Sequence, residues 1–184
     1  MVDLHAVLKR YWGYDSFRPM QERIVESLLA GSDVAVVMPT GGGKSLCYQL
    51  PAVALGRTVV VVSPLIALMQ DQVAALADMG IPAALLNSTQ APEEQRGVMR
   101  AAAQGAFRLL YLSPERLARQ DTIAWLARVP LAFFAIDEAH CRFHRQRYQA
   151  RAARHSRSAP ASRAAAVYRQ LPPRQPALHR APVR

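Results

Sequence analysis

An α/β fold built on a largely parallel sheet follows from three features of the sequence. Short apolar runs rich in β-branched residues recur between residues 33 and 136, segments with helical spacing stand between them, and the joining loops are short. With 184 residues and 51% hydrophobic content the chain can bury one sizeable core, and its length suggests one domain.

Taken in order, Leu4, Val7, Leu8 and Tyr11 share one face of a first helix, which Gly13 breaks. Pro19 suits the first turn of a second helix that runs to Ala30 and stops at Gly31. Residues 33–38 read as a buried strand, followed by the turn Met38-Pro-Thr-Gly-Gly-Gly-Lys-Ser45 and a helix continuing up to Pro51. Residues 58–62 form a second strand. Ser63 is placed to cap a helix opening with Pro64 and ending at Gly80, with Leu65, Leu68, Met69, Val73 and Leu76 on its apolar face. Residues 83–86 make a third strand, a polar loop leads to a helix near 92–103, and residues 107–112 make a fourth strand. Ser113-Pro-Glu115 has the cap, proline and acid of another helix start. The fifth strand, 131–136, delivers Asp137-Glu-Ala-His140, and no internal repeat is present.

The formal net charge of +10 is unevenly spread. Residues 1–140 carry 12 Lys and Arg against 13 Asp and Glu, whereas residues 141–184 carry 11 Arg and no acid. Overall basicity therefore describes the tail and gives no argument for a nucleic-acid surface on the globular part. Of the last 44 residues, 29 are Arg, Ala, Pro or Ser, and hydrophobic periodicity is lost. Such a segment cannot bury enough apolar surface to offset the entropy of ordering, so a disordered C-terminal tail is expected.

Cys47 and Cys141 make neither a metal-ligand spacing nor a disulfide framework, and no zinc site is expected. The start, Met-Val-Asp-Leu-His, lacks the pattern of a signal peptide, and no apolar run approaches the ~20 residues of a membrane helix. The expectation is a cytoplasmic protein without membrane partners.

Strand, glycine-rich turn and helix together are the context of a phosphate-binding loop. Successive glycines let several N–H groups converge at the positive end of a helix dipole. Lys44 would reach the β- and γ-phosphates of a nucleotide and the Ser45 hydroxyl would sit on Mg²⁺. Met38 stands where the strict pattern has glycine. Asp137, at the end of an apolar strand, can hold Mg²⁺ through water, and Glu138 is placed to orient or deprotonate an attacking water. An Asp-Glu pair after a strand is also an ordinary helix start; Lys44 and Ser45 turn the balance.

Three further features read two ways. Tyr14, Arg18 and Gln21 offer stacking faces and an amide that fits an adenine edge, or they are loop anchors and solvated helix-start residues. The Ser63-Pro64 and Ser113-Pro114 turns could grip nucleic-acid phosphates at helix N-termini, or be plain βα turns. His140 could couple the nucleotide to neighbouring elements or cap a helix.

Residues 2–141 resemble the first motor domain of the RecQ-family DNA helicases of superfamily 2. The resemblance rests on five blocks in the family's order: residues 13–21 (Gly-Tyr-Asp-Ser-Phe-Arg-Pro-Met-Gln), 38–51 (Met-Pro-Thr-Gly-Gly-Gly-Lys-Ser-Leu-Cys-Tyr-Gln-Leu-Pro), 63–73 (Ser-Pro-Leu-Ile-Ala-Leu-Met-Gln-Asp-Gln-Val), 111–117 (Tyr-Leu-Ser-Pro-Glu-Arg-Leu) and 137–141 (Asp-Glu-Ala-His-Cys). Met38 is normal in that family. The resemblance implies a RecA-like fold and ATP-driven 3′→5′ unwinding of DNA in recombination and repair. It gives Tyr14, Arg18 and Gln21 as the adenine-sensing motif. It also gives Thr40, Gly41, Gly42, Gly43, Lys44 and Ser45 as ligands of phosphate and Mg²⁺, Asp137 as the Mg²⁺ carboxylate and Glu138 as the catalytic base.

On this reading the chain divides into N-terminal helices with the adenine-sensing motif (1–31), a partial ATP-binding domain (32–141) and the tail (142–184). In the family the acidic box runs into an aromatic-rich loop, whereas here it runs into Arg142-Phe-His-Arg-Gln-Arg-Tyr148. A shift of reading frame near codon 141 of a GC-rich gene would explain the abrupt change of composition, and the expectation is a truncated fragment unable to unwind alone. The competing expectation is a non-catalytic nucleotide- or nucleic-acid-binding fragment gripping phosphates through its Arg-rich tail.

Overall fold

The computed structural model describes residues 2–38 and 41–137, together with the backbone of residues 165–168. Its elements run α1 (Leu4–Trp12), α2 (Gln21–Leu29), β1 (Val34–Val36), α3 (Lys44–Leu55), β2 (Thr58–Val62), α4 (Ile66–Asp78), β3 (Ala83–Leu86), α5 (Pro92–Ala103), β4 (Leu109–Leu112), α6 (Pro114–Ala118), α7 (Gln120–Leu126), β5 (Leu131–Ile136) and β6 (Ala165–Tyr168). The strands form one sheet in the order β1-β6-β5-β2-β4-β3, and every pairing is parallel. The predicted α/β class is therefore correct. Because all strands run the same way, the turns after β1, β2, β4 and β5 emerge along one edge, the usual ligand edge of such a sheet.

β2 and β4 lie in the middle, and all nine of their residues are buried. Val59, Val61, Leu109 and Tyr111 face one layer with Cys47, Tyr48, Met69 and Leu76. Val60, Val62, Leu110 and Leu112 face the other, with Trp125, Leu126 and Ala102. The period-two alternation of a strand thus feeds two cores at once, which is why these strands read as unbroken apolar runs. A third cluster, Leu8, Val25, Leu46 and Leu50, seats α1 and α2 on α3.

Five expectations change on contact with the structure. Pro19 lies before α2, not in its first turn; Met20 is the N-cap, in the left-handed region at φ 74°. Such a conformation costs a residue with a Cβ about 1–2 kcal/mol. α3 does not stop at Pro51 but carries it inside the helix. The missing N–H costs roughly 3 kcal/mol, and burying Leu50 with Leu46 and Tyr48, at about 1.5–3 kcal/mol each, outweighs it. α4 begins at Ile66, so Leu65 is an exposed N-cap instead of a core residue and Pro64 stays outside the helix. A further helix, α7, packs Trp125 and Leu126 under the sheet.

The fifth change falls in the tail. Residues 165–168, read from sequence as unstructured, form β6 between β1 and β5. Ala-Ala-Val-Tyr contains no arginine or proline, and between two strands its backbone finds ladder partners on both sides. The other residues of the tail lie outside the described residues.

Candidate nucleotide site

The turn between β1 and α3 is shaped by its glycines. Gly41 and Gly43 have φ of 77° and 78°, which glycine adopts without the steric cost of a Cβ. At Gly41 a Cβ would meet nothing, but at Gly43 it would run into the side-chain amide of Gln21. Gly43 is thus needed twice, for conformation and for close approach. It also forms the N-cap of α3 with no side chain to bond the first-turn N–H groups.

Two side chains from the α2 approach hold this turn by its carbonyls. Arg18 Nη1 donates to the Gly41 carbonyl at 2.7 Å, and Gln21 Nε2 donates to the Gly43 carbonyl at 3.0 Å. The other end of the Gln21 amide accepts from the Arg18 backbone N–H at 2.9 Å. In a trans peptide the N–H points opposite to the C=O. Pinning these two carbonyls toward α2 therefore turns the N–H groups of Gly42 and Lys44 away from it, as an anion-binding concavity requires. Gln21 is only 3% exposed, which excludes the solvated-residue reading for it. Tyr14, the third member of that motif, stands exposed on the surface.

Lys44 and Ser45 open α3 and are half-buried. Tyr48 follows them at i+4 and i+3, on the same face of the helix. Its hydroxyl donates to Asp137 Oδ2 at 3.4 Å, which brings the acid after β5 to the face that carries Lys44 and Ser45. The Asp137 backbone N–H donates to the Val62 carbonyl at 2.9 Å, fixing it to the end of β2. Its side chain is buried with the rest of the residue, at 8% exposure. Among the described residues no cluster of three or more His, Cys, Asp or Glu could hold a metal alone. A divalent ion here would draw its remaining ligands from a nucleotide and water, as Mg²⁺ commonly does. Thr40, Glu138 and His140 lie outside the described residues.

A buried polar cluster behind Asp137 is invisible to motif reading. Gln49 Nε2 donates to Gln72 Oε1 at 2.7 Å and to the Tyr111 hydroxyl at 3.3 Å. Tyr111 is hydrogen-bonded in turn to Tyr48. Tyr48 has one hydroxyl proton, which it can give to Asp137 or to Tyr111. Burial raises the Tyr111 phenol to about 12, the hydrogen bonds from Gln49 and Tyr48 working against that rise and the Asp137 charge adding to it, so it keeps its proton. The signal was present as Tyr48-Gln49 within the apolar stretch 46–55 of α3 and as a tyrosine within Leu-Leu-Tyr-Leu.

The two Ser-Pro turns differ. The Ser113 hydroxyl caps α6 by accepting from the Arg116 N–H at 3.2 Å, whereas Ser63 is buried and its hydroxyl accepts from the Leu65 N–H at 3.4 Å. Arg116 is itself buried and bonds Asp121. It is a structural tie from α6 to α7.

The sequence model of the DEAD/DEAH box helicase family matches residues 18–168, from Arg18 before α2 to the last residue of β6. The chain belongs to that family. Within it the chain is similar to helicases of the RecQ type. It is 46% identical over 136 residues to the ATP-dependent DNA helicase RecQ of Haemophilus influenzae, covering 74% of this chain and 22% of that protein. It is 44% identical over 137 residues to the RecQ of Bacillus subtilis, covering 74% of this chain and 23% of the relative. The chain thus spans about a fifth of the length of these relatives. The backbone is similar to that of the helicase MrfA bound to DNA, with a TM-score of 0.69 at 20% identity over 91% of this chain and 26% of that one. It is also similar to a hypothetical ATP-dependent RNA helicase of Sulfolobus tokodaii, with a TM-score of 0.64 at 19% identity over 90% of this chain and 49% of that one. These two likenesses show the helicase-type fold. No helix among the described residues is long and apolar enough to cross a membrane.

Proposed function

We propose that this chain is the nucleotide-binding part of a RecQ-type, ATP-dependent 3′→5′ DNA helicase, with ATP and Mg²⁺ seated between the β1–α3 turn and the end of β5. The observation that carries this reading is the convergence of Lys44, Ser45 and, through Tyr48, Asp137 on one face of α3. The glycine cradle and its pinned carbonyls fit a polyphosphate. Thr40 and Gly41 to Gly43 would line the phosphates, and Lys44 would meet the β- and γ-phosphates. Ser45 and Asp137 would hold Mg²⁺, which when bound neutralises the charge that develops on the phosphates. Glu138 follows Asp137 directly and would accept the proton of the attacking water. Gln21 would offer its amide to the adenine edge by exchanging one of its present bonds, with Arg18 and Tyr14 beside the base.

Lys44→Ala tests this reading by calorimetry with ATP and Mg²⁺. A hydrogen bond to a charged group is worth about 1.5–3 kcal/mol, so roughly ten- to hundredfold weaker binding is expected, with an unchanged thermal midpoint. Equal binding by both forms would refute the assignment. Hydrolysis coupled to unwinding would also draw on an arginine of a second motor domain, which none of the motifs assigned within residues 1–184 supplies; such a stabiliser is worth about 10³–10⁵ in rate in related hydrolases. The purified 184-residue chain is therefore expected to bind ATP without separating strands in an unwinding assay.

The 11 arginines after residue 140 favour a second reading, a nucleic-acid-binding fragment without turnover. DNA binding that falls steeply with salt and survives Lys44→Ala would support it.

A further inference from the structure

The four sequence blocks that converge on the nucleotide edge also meet inside the protein, where the hydrolysis reading makes no use of them. Tyr48 and Gln49 come from the block at 38–51, Gln72 from 63–73, Tyr111 from 111–117 and Asp137 from 137–141. Tyr48, Gln49 and Tyr111 are each less than 5% exposed. Buried polar groups are costly unless every member is satisfied, and a network completed in this way has few alternative arrangements. Here polar contacts run from Gln72 on α4, through Gln49 on α3 and Tyr111 on β4, to Tyr48, whose one proton serves Tyr111 or Asp137. Its outer end, Gln72, is half-buried on the helix that follows the Ser63-Pro64 turn.

We propose that Tyr48 is a positioning residue for the Asp137 carboxylate, and that Gln49, Tyr111 and Gln72 extend its hold into a buried relay that transmits displacement of α4 to Asp137. The proposal rests on the reading of Asp137 as the Mg²⁺ carboxylate. It adds a physical route by which an element outside the nucleotide site sets the orientation of that group. Without the Tyr48 hydroxyl, the carboxylate loses a donor that fixes its rotamer. Without the Gln72 carbonyl, Gln49 loses its shorter bond and the pull on Tyr111 changes.

The test uses the 184-residue chain with Tyr48→Phe, Gln72→Leu and Gln72→Glu. Two quantities are read: the Mg²⁺ concentration for half-maximal ATP binding, set against ATP affinity in EDTA, and amide hydrogen exchange at Asp137. Tyr48→Phe and Gln72→Leu are expected to raise the Mg²⁺ requirement three- to tenfold, leave ATP affinity in EDTA unchanged and speed exchange at Asp137. Gln72→Glu keeps the acceptor for Gln49 and is expected to match the parent in both. The double variant Tyr48→Phe/Gln72→Leu should be no worse than Tyr48→Phe alone, because both act on one path. Parent-like values in Gln72→Leu, or equal shifts in Gln72→Leu and Gln72→Glu, would overturn the relay, since a packing role would not separate leucine from glutamate in this way. If the parent binds no ATP, the nucleotide reading fails, and exchange at Asp137 in the Leu and Glu variants still decides the relay.

Discussion

The two outer strands of the sheet are held in different ways. β3 pairs over four residues with β4, its near neighbour in sequence, and α4 and α5 flank it in the chain. β1 has three residues and, among the described residues, only β6 as a strand partner, with Val34 opposite Ala166. Yet β1 is the strand that leads into the glycine turn. The strand nearest the candidate chemistry therefore depends on the most distant pairing in the fold, while the edge away from it is assembled from local contacts.

Breaking that dependence should produce the largest effect. Replacing Ala166 and Val167 together by proline removes two ladder donors from β6. ATP binding is expected to fall at least tenfold, with loss of amide protection at residues 34–36 and retention of it at 109–112. Equal loss of protection in both regions would show that the two edges unfold as one unit.

The converse is a cut at the centre. Leu110→Ala, at a fully buried position on β4, should cost about 2–5 kcal/mol in urea unfolding and loosen both edges alike. Next come the two glycines after β1. Gly43→Ala is expected to cost more than the roughly 1–2 kcal/mol of a left-handed residue, because it also displaces the Gln21 amide. Gly41→Ala should cost only the backbone term, and equal losses in the two variants would mean that the Gln21 contact contributes nothing.

The smallest effect lies on the far side, at Asp121. Bonds from Arg119, then Arg116, hold its carboxyl down to about 2, below the 3.8 of a free aspartate. A carboxyl depressed on folding adds stability in full above its unfolded value and loses it as pH falls through the folded one. Asp121→Asn should therefore flatten the stability curve between about pH 4 and pH 2. Its side chain is half exposed, so the expected loss at neutral pH is below about 1 kcal/mol. Nucleotide binding should not change.

Much of this was legible in the sequence, for reasons that differ by residue. β2 and β4 were readable because burial on both faces demands continuous apolar runs, as in Val59-Val-Val-Val62, whereas β1, expected to be a buried strand, is short and has one buried residue of three. The glycine turn was readable because left-handed backbone selects glycine at 41 and 43. Pro51 misled because packing of α3 on two clusters overrides a local breaker, and Leu65 misled because the helix starts one residue after it. At the site, Gln21 and Asp137 were legible as types, but what holds them was not. The hydrogen bonds of Tyr48, Gln49 and Tyr111 join positions far apart in the chain, and periodicity carries no information about such pairs. β6 escaped for the same reason, since four residues without a helical or turn signal acquire a state only from their neighbours.

The β1–β6 pairing also sets an order of events during synthesis. The strands from β2 to β5 are all available once Ile136 has left the ribosome, whereas β1 must wait for Ala165–Tyr168. Long loops close slowly, and unpaired strand edges invite association in the interval. A nascent chain stalled before residue 165 would thus present its glycine turn on an unsupported strand, and would be a target for chaperones before it could bind a nucleotide.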